Sequence, residues 1–449
     1  MTLTIVFDGA FSIDSAGDDA PLAFMVHELR KRLDGPRFVA LVRHPEWRLA
    51  ARLGVETALN LEHDSKAASI GRWYRGLNFA DDRAELETVA NIVANADLLV
   101  LGAGNFLTEV GIDILRGHLP RFVTMSLAAQ MSQTPTMLFG LSANSLRHPW
   151  TVRAAQWLLD SANAVTFRER FAIHNLEASA VRLPEHVLLP DPALGAPSAP
   201  IEVGARILAK EQIPGASGKR LALATRDLAW MGRDASDRYE REQVALIDLW
   251  CRGSENDVLF IPQCTYDVDG SRTDDRHIAR TLRARSGFSE RIHVIRGRYD
   301  YDEIESIYRE ADCAVATRLH GAVFAARMGV PVVGLAYEDK VRGFFDQLRL
   351  PDACLAWDAP ATQILATLRE LTREPGRASS QLRAGVARLQ GELHGYIDVA
   401  ERLLTTSVEP RIERRRIQKA PTFSASTPSP LSETTPSSSA GARARQLTP

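Results

Sequence analysis

Cysteine is scarce in this sequence, and the cysteines that are present form no recognisable motif. Of 449 residues only 4 are cysteines, at positions 251, 264, 313 and 354, and no two of them make a Cys-x-x-Cys pair. This spacing excludes a zinc ribbon and the disulfide framework of a secreted domain. We therefore expect a protein of the reducing cytoplasm.

Long hydrophobic runs are missing as well. Apolar stretches such as Val330–Ala336 are far shorter than the roughly 18 residues that a membrane-spanning helix needs. Residues 1–10 have neither the positive start nor the cleavage site of an export signal, and Asp8 interrupts their apolar run. These features predict a cytoplasmic chain without a membrane span, associated with a membrane at most peripherally.

Neither sign of charge is in excess. Lys and Arg total 54 against 56 for Asp and Glu, which leaves a net charge of −2. No overall field therefore holds the chain on nucleic acid, and any anion site must be local. With 45% hydrophobic and 24% charged residues, the composition is typical of a globular protein, and the length predicts two domains.

Short apolar runs alternate with longer segments of helical periodicity, and this alternation occurs twice. The pattern predicts an α/β fold with two Rossmann-like, doubly wound parallel sheets. We place an N-terminal domain at 1–195 and a C-terminal domain at 205–375, separated by a polar stretch with Gly and Pro. The predicted strands are 2–7, 37–42, 96–101, 136–139, 164–167 and 187–189, then 220–225, 257–262, 292–295, 313–317 and 331–335.

The last part of the chain predicts helices followed by a disordered tail. Periodicity indicates helices at 360–372 and 377–404, with residues 376–407 closing the fold. Residues 408–449 begin with an arginine cluster at 411–416, interpreted as a solvated linker or a patch for anionic lipid or nucleic acid. From 420 to 449, 17 of 30 residues are Pro, Ser or Thr, and few are apolar. The segment cannot bury enough surface to offset the entropy lost on ordering, so we expect it to be disordered.

The segment Arg318-Leu319-His320-Gly321 directly follows the predicted strand at 313–317. The carboxyl ends of parallel strands point into the ligand crevice, so Arg318 and His320 are expected to face a ligand. Gly321 and the amides of the following helix add a positive dipole end, which favours phosphate or carboxylate. The alternative is that Arg318 pairs with a structural carboxylate and His320 caps the helix.

The next predicted strand also ends in charged residues. Tyr337 and Lys340 follow the strand at 331–335. Lys340 can hold a phosphate as a point charge, but its spacing fits a salt bridge with Glu338 or Asp339 equally well.

Two further candidates lie in the N-terminal half. Asp18, at the start of the first helix, can bind hydroxyls or act as a base, although an aspartate there is as often a helix N-cap. Gly102 and Gly104 follow the strand at 96–101 like a dinucleotide fingerprint, but Leu107 replaces its third glycine. We therefore predict no nicotinamide cofactor.

Metal and hydrolase chemistry find no support in the sequence. No Ser lies in a Gly-x-Ser-x-Gly motif, and no Cys has a convincing base. The metal-capable side chains that cluster in one loop match no calcium loop or histidine–carboxylate motif, so we predict a polar loop and no metal. They are Asp267, Asp269, Asp274, Asp275 and His277.

Two of these segments resemble the polysaccharide pyruvyl transferase family. Its hallmarks are an Arg-Leu-His after a strand, present at 318–320, and a Tyr-x-x-Lys-x-x-Gly-Phe loop, present at 337–344. Weaker resemblances lie at 16–20, 102–104, 166–170 and 191–193, so the likeness extends over roughly residues 1–350. Ser15, Ala103 and Asn105 depart from the family's pattern.

The resemblance implies two domains that face a cleft, as in GT-B glycosyltransferases, with the acceptor on the N-terminal side and the donor on the C-terminal side. It implies transfer of pyruvate from phosphoenolpyruvate to two sugar hydroxyls, as a cyclic ketal, with phosphate released and no cofactor. The partners implied are phosphoenolpyruvate and a sugar or glycan, free or lipid-linked, and no nucleic acid.

The resemblance also assigns roles to the candidate residues. Arg168 and Arg318 clamp the anionic donor, because a guanidinium binds carboxylate or phosphate with two hydrogen bonds. His320 acts as the acid or base. The expected substrate-binding residues are Leu319, Gly321, Lys340, Tyr337, Asp18, Gly102 and Gly104.

Two other hypotheses remain open. A GT-B glycosyltransferase would place the diphosphate of a nucleotide-sugar at the same helix N-terminus. A non-catalytic member of the family would bind an anion or a glycan without turnover.

Overall fold

A computed structural model of the chain describes residues 2–62, 84–109, 117–266 and 273–418. The predicted tail at 420–449, together with Asp267 and Asp269, lies outside these ranges. Met1–Ser407 form one compact unit and Val408–Pro449 are assigned to another. Within the described ranges, no helix combines the length and the apolar character needed to cross a membrane.

The first half of the chain forms a parallel sheet. Its strands are β1 (Thr4–Asp8), β2 (Arg37–Val42), β3 (Glu56–Leu59), β4 (Leu98–Leu107), β5 (Thr136–Ala143), β6 (Ala164–Phe167) and β7 (Val187–Leu188). They lie in the order β3-β2-β1-β4-β5-β6-β7, so the winding direction reverses between β1 and β4. The described helices of this half are α1 (Ala16–Arg32), α2 (Arg48–Leu53), α3 (Ala84–Ala94), α4 (His118–Ser132), α5 (Pro149–Ser161) and α6 (Arg170–Ala178).

The second half repeats this architecture. Its parallel strands are β8 (Arg220–Ala224), β9 (Asp257–Phe260), β10 (Ile292–Val294), β11 (Cys313–Ala316), β12 (Val332–Ala336) and β13 (Cys354–Ala356), in the order β10-β9-β8-β11-β12-β13. The winding direction reverses between β8 and β11. The helices here are α7 (Val203–Lys210), α8 (Arg233–Cys251), α9 (Asp275–Arg285), α10 (Tyr301–Ile307), α11 (Leu319–Arg327), α12 (Asp339–Leu348) and α13 (Ala361–Arg373).

All the predicted strands are present, and the hydrophobic pattern explains why. Every residue of β5 is buried, because helices cover both faces of a doubly wound sheet and its strands become continuous apolar runs. Two short edge strands, β3 and β13, were not predicted. The burial of β3 follows the pattern exposed then intermediate, so its apolar signal is weak.

Gly102 and Gly104, which the sequence placed after the strand at 96–101, lie inside that strand. Strand β4 continues through both glycines to Leu107 and pairs with β5, where Gly102 lies opposite Phe139 and Gly104 opposite Leu141. A Cβ at position 102 would lie 2.0 Å from the carbonyl oxygen of Phe139. Gly102 is therefore required for the close packing of β4 against β5, because the backbone of Phe139 leaves no space for a side chain at position 102.

Backbone hydrogen bonds join the two halves near the start of α1. The amide of Ala16 donates to the carbonyl of Gln263 at 2.9 Å, and the amide of Thr265 donates to the carbonyl of Asp14 at 2.9 Å. One buried apolar cluster also contains residues of both sheets, among them Phe7 and Ala224. The two halves thus share a core, and the predicted domain boundaries stay predictions.

The closing helices differ from their predicted bounds. Helix α14 (Pro375–Glu392) and helix α15 (His394–Gln418) replace the single helix expected at 377–404. Tyr396 of α15 is fully buried, its ring lies 4.9 Å from that of Phe139, and its hydroxyl donates to the carbonyl of Pro190. Helix α15 extends to Gln418, beyond the predicted end at 404, and the disorder predicted for the tail stays a prediction.

Candidate functional site

A cavity of about 190 Å³ lies at the carboxyl ends of the central strands of both sheets, and we call it the cleft cavity. Such strand ends are where doubly wound sheets bind their ligands. Seven of the residues expected from the sequence line it, contributed by both halves of the chain. They are Asp18, Arg168, Arg318, Leu319, His320, Tyr337 and Lys340.

Arg318 is the N-cap residue of α11 and reaches across to helix α9. Its Nε and Nη2 atoms donate to Oδ1 of Asp275 at 3.0 and 2.6 Å, and Nη2 also donates to the carbonyl of Thr273. Burial opposes the charge of Arg318, but the Asp275 carboxylate outweighs it and raises the pKa. Arg318 therefore both pairs with a structural carboxylate and lines the cavity.

His320 lies in the first turn of α11, and its ring is packed against α1. A Cβ at Gly17 would lie 1.9 Å from Nδ1 of His320. The cap of this helix is Arg318 and has no side-chain hydrogen bond, so the interpretation of His320 as a helix cap was wrong. Burial lowers the pKa of His320, which favours the neutral imidazole at neutral pH.

Asp191 connects Arg168 to His320. Its Oδ2 accepts a hydrogen bond from Nη1 of Arg168 at 2.9 Å and lies 3.7 Å from Nε2 of His320. Its Oδ1 accepts from the amide of Ala193, which fixes the carboxylate at the start of a 3-10 turn. His320 Nε2 is buried without a hydrogen-bond partner among the described residues, so it is available to a ligand or to a moving proton.

Arg168 is buried at the end of β6. Besides Asp191, Glu169 lies near it, with Oε2 3.6 Å from Nε. Burial opposes the charge of the guanidinium, but Asp191 and Glu169 outweigh it and raise the pKa of Arg168. The side chain of Gln347 donates to the Arg168 carbonyl at 2.8 Å, so an element of the second half holds this arginine of the first.

Lys340 and Tyr337 follow β12. Lys340 forms an ion pair with Glu338, one of the two partners that its spacing allowed. Burial favours the neutral amine, yet this carboxylate outweighs it and raises the pKa of Lys340. The Lys340 ammonium also lies 5.5 Å from the centroid of the Tyr337 ring, so a cation–π contact orients it.

Arg226 lines the cleft cavity and was not predicted. It donates to the hydroxyl of Tyr337, and its guanidinium lies 4.8 Å from the Tyr337 ring and 5.8 Å from that of Trp230. Among the described residues, no carboxylate lies within ion-pair distance of it. The missed signal was its position, because Arg226 is the first charged residue after the predicted strand at 220–225.

Asp18 lies in the first turn of α1 and lines the cavity. The N-cap of this helix is Ser15, so Asp18 is not the cap. Gly321 lies where α11 packs against β8, and a Cβ at position 321 would lie 2.3 Å from the Cβ of Ala224. Gly102, Gly104 and Gly321 are not among the described residues that line the cavity.

The two described aspartates of the loop that was considered for metal binding, Asp274 and Asp275, are bonded to arginines. Asp274 accepts from Nε of Arg276 at 2.9 Å, and Asp275 holds Arg318. Across the described ranges, no three His, Cys, Asp or Glu side chains are grouped as metal ligands.

The fold is similar to that of solved structures of a glycosyltransferase and of nucleotide-sugar epimerases. A glycosyltransferase from Rickettsia africae superposes with a TM-score of 0.58 at 11% identity, over 90% of this chain and 99% of that one. A UDP-GlcNAc 2-epimerase from Neisseria meningitidis, bound to UDP-GlcNAc, superposes with a TM-score of 0.53 at 11% identity, over 90% and 100% of the two chains. The two Rossmann-like sheets thus form a GT-B-like α/β fold.

Within that class, the sequence matches the family model for polysaccharide pyruvyl transferase over residues 16–339, and the chain belongs to this family. The amylovoran biosynthesis protein AmsJ of Erwinia amylovora is 23% identical over 231 residues. That match covers 51% of this chain and 55% of AmsJ, so the chain spans about half the length of this relative.

Proposed function

We propose that the protein transfers the pyruvyl group of phosphoenolpyruvate to two hydroxyls of a sugar in a polysaccharide or its precursor, forming a cyclic ketal and releasing phosphate. The observation that carries this proposal is the meeting of Arg168, Arg318 and His320, from both halves of the chain, in one small cavity. Membership of the pyruvyl transferase family supports the same reaction.

The charges of the cleft cavity support a small, multiply charged anion as donor. Arg168, Arg318 and Lys340 are each paired with a carboxylate of the chain, which orients them but offsets part of their charge. Arg226 has no such partner among the described residues, so it contributes the charge that a bound anion can neutralise. Phosphoenolpyruvate has a phosphate and a carboxylate on three carbons, and both groups suit these arginines.

The volume of the cavity also favours a small donor. Pockets for drug-sized ligands measure about 300–1,000 Å³, and a nucleotide-sugar belongs in that range. The cleft cavity, at about 190 Å³, suits phosphoenolpyruvate better. The likeness to nucleotide-sugar enzymes concerns the fold alone.

Two protons move in the proposed reaction. Protonation of the methylene carbon makes the neighbouring carbon electrophilic, and one sugar hydroxyl bonds to it. The second hydroxyl then bonds to the same carbon while the C–O bond to phosphate breaks. One proton ends in the new methyl group and the other leaves with phosphate. We assign the uptake of a hydroxyl proton to His320, because burial lowers its pKa and its Nε2 has no hydrogen-bond partner among the described residues.

The experiment uses the full chain with phosphoenolpyruvate and a panel of methyl hexosides. We expect phosphate release that depends on the hexoside, together with a pyruvylated product in the mass spectrum. His320→Ala should abolish turnover, whereas His174→Ala, at an exposed position of α6, should not. Binding of phosphoenolpyruvate without turnover on any hexoside, or thermal stabilisation by UDP-glucose but not by phosphoenolpyruvate, would contradict the proposal.

A further inference from the structure

A second and larger cavity adjoins the cleft cavity, and we call it the side cavity. Its volume is about 600 Å³, and Ile13 and Tyr266 line both cavities. The remainder of its lining comes from both halves, including Trp47 of the first and Tyr299 of the second. A molecule bound in the side cavity therefore lies next to whatever occupies the cleft cavity.

The side cavity differs from the cleft cavity in its charge. The two arginines among the described lining residues are paired with carboxylates of the chain. Arg298 lies 2.7 Å from Oδ2 of Asp14, and Arg48 lies 2.8 Å from Oδ1 of Asp300. Carboxyl groups also outnumber these two arginines among the described lining residues, so a multiply charged anion gains little here. They are Asp14, Asp19, Glu46 and Asp300.

One buried carboxyl in the lining suits an uncharged ligand. Asp19 is 5% exposed, and its Oδ1 accepts a hydrogen bond from the amide of Ser12. Burial raises the pKa of Asp19 well above its usual range, and the neighbouring Asp18 acts in the same direction. A neutral carboxyl both donates and accepts hydrogen bonds, which suits a ligand rich in hydroxyls.

Aromatic rings supply the apolar part of the lining. Trp47 is half-buried and its ring stacks on that of Phe11, with centroids 6.4 Å apart and planes at 11°. Tyr266 and Tyr299 add two more rings. Ring faces with a few polar groups between them are typical of sites for small organic ligands, and a pyranose presents apolar C–H faces and polar edges in the same way.

We propose that the side cavity binds an uncharged hexosyl unit of the acceptor. This inference rests on the proposed pyruvyl transfer, since the shared wall at Ile13 and Tyr266 brings the hydroxyls of a sugar in the side cavity next to a donor in the cleft cavity. It adds the location and the chemical class of the acceptor, a neutral sugar rather than a sugar phosphate or a nucleotide-sugar.

The test is saturation-transfer NMR on the full chain with methyl glucoside, methyl galactoside and methyl mannoside, each without phosphoenolpyruvate. We expect signals from at least one hexoside and an affinity about tenfold lower in Trp47→Ala, because one ring face is lost. Trp230→Ala is the matched control. Trp230 is half-exposed and does not line the side cavity, so its loss should leave the hexoside signals unchanged.

A second variant covers the case in which Trp47→Ala does not fold. Glu46 lines the side cavity at an exposed position, so Glu46→Trp adds bulk there without removing a packed ring. We expect it to abolish the hexoside signals. The inference is overturned if no methyl hexoside gives signals with the wild-type chain, if Trp47→Ala binds the hexoside as tightly as the wild type, or if the signals persist in Glu46→Trp.

A parallel measurement separates this inference from the proposed function. Thermal stabilisation by phosphoenolpyruvate reports on the cleft cavity and should be the same in Trp47→Ala and in the wild-type chain. Failure of phosphoenolpyruvate to stabilise any variant contradicts the donor proposal alone. Loss of that stabilisation in Trp47→Ala only would show that Trp47 supports the cleft cavity instead, and would overturn the inference.

Discussion

Gly17 lies directly against the imidazole of His320, so that a Cβ at position 17 would be only 1.9 Å from Nδ1. Gly17 belongs to α1 in the first half of the chain, and His320 belongs to α11 in the second. The start of one helix therefore sets the position of a ring on the other. The lack of a side chain at residue 17 is what leaves room for the ring.

Gly17→Ala should impair catalysis more than folding. The added methyl group displaces the imidazole from its position beside Asp191, and a displacement of about 1 Å can cost about a hundredfold in rate. We expect a comparable fall in turnover with little change in circular dichroism. The control is Gly391→Ala in α14, where a Cβ would meet open space. Equal activity of the two variants would show that the position of His320 does not matter.

His320 should remain neutral to a lower pH than an exposed histidine does. Burial lowers its pKa below the usual value of about 6.5, so the ring becomes protonated only when the pH falls below that value. The measurement is an NMR titration of ¹⁵N-histidine in the wild-type chain, with the His320 signal identified by its absence from His320→Ala. A midpoint above pH 6.5 would contradict the prediction.

Arg226→Ala should weaken binding of phosphoenolpyruvate. A hydrogen bond to a charged group contributes about 1.5–3 kcal/mol, which corresponds to roughly a 10- to 100-fold rise in the KM for phosphoenolpyruvate. Arg238→Ala is the matched control, because Arg238 is exposed and pairs with Asp358 at the surface. If steady-state kinetics give both variants the same KM, Arg226 does not contact the donor.

Asp8→Asn should stabilise the fold at high pH. Burial raises the pKa of Asp8 to about 6, although Nε of Arg121 lies 3.2 Å from its carboxylate. A raised carboxyl pKa contributes stability below the unfolded pKa, and this contribution is lost as the pH rises through about 6. Asparagine carries no charge to desolvate, so the gain should grow with pH.

The size of this effect follows from the titration. Between pH 5 and pH 8 the gain in the free energy of unfolding should increase by about 1.4 kcal/mol. Urea unfolding at the two pH values measures it, with the exposed Asp34→Asn as control. A variant that is less stable than the wild type at pH 8 would mean that the ion pair with Arg121 outweighs the cost of burial.

The sequence pattern and the family resemblance were sufficient to predict the repeated sheet and seven of the residues that line the cleft cavity. Strands buried on both faces are continuous apolar runs, and the residues just after them, such as Arg168, Arg318 and Lys340, face the crevice whatever the loops do. Short edge strands such as β3 and β13 carry too few buried residues to be recognised. The same positional rule applied to β8 would have found Arg226.

Hydrogen bonds and ion pairs between residues far apart in the sequence could not be predicted from the local pattern of apolar and polar residues. Asp191 lies 23 residues from Arg168 and is joined to it by a hydrogen bond, and His320 is brought to both by the packing of the two halves. In the sequence, Gly102 and Gly104 resembled a dinucleotide fingerprint that follows a strand. In the structure, both glycines lie within β4 and pair with β5.

The order of apolar and polar residues along the chain was enough for the class of fold and for which strand ends carry charge, because burial periodicity is a local property. Which carboxylate holds which arginine, how far burial shifts the pKa of His320, and the size of the two adjoining cavities were decided only in three dimensions. Those quantities depend on distances between segments far apart in the chain, and only the packed core sets such distances.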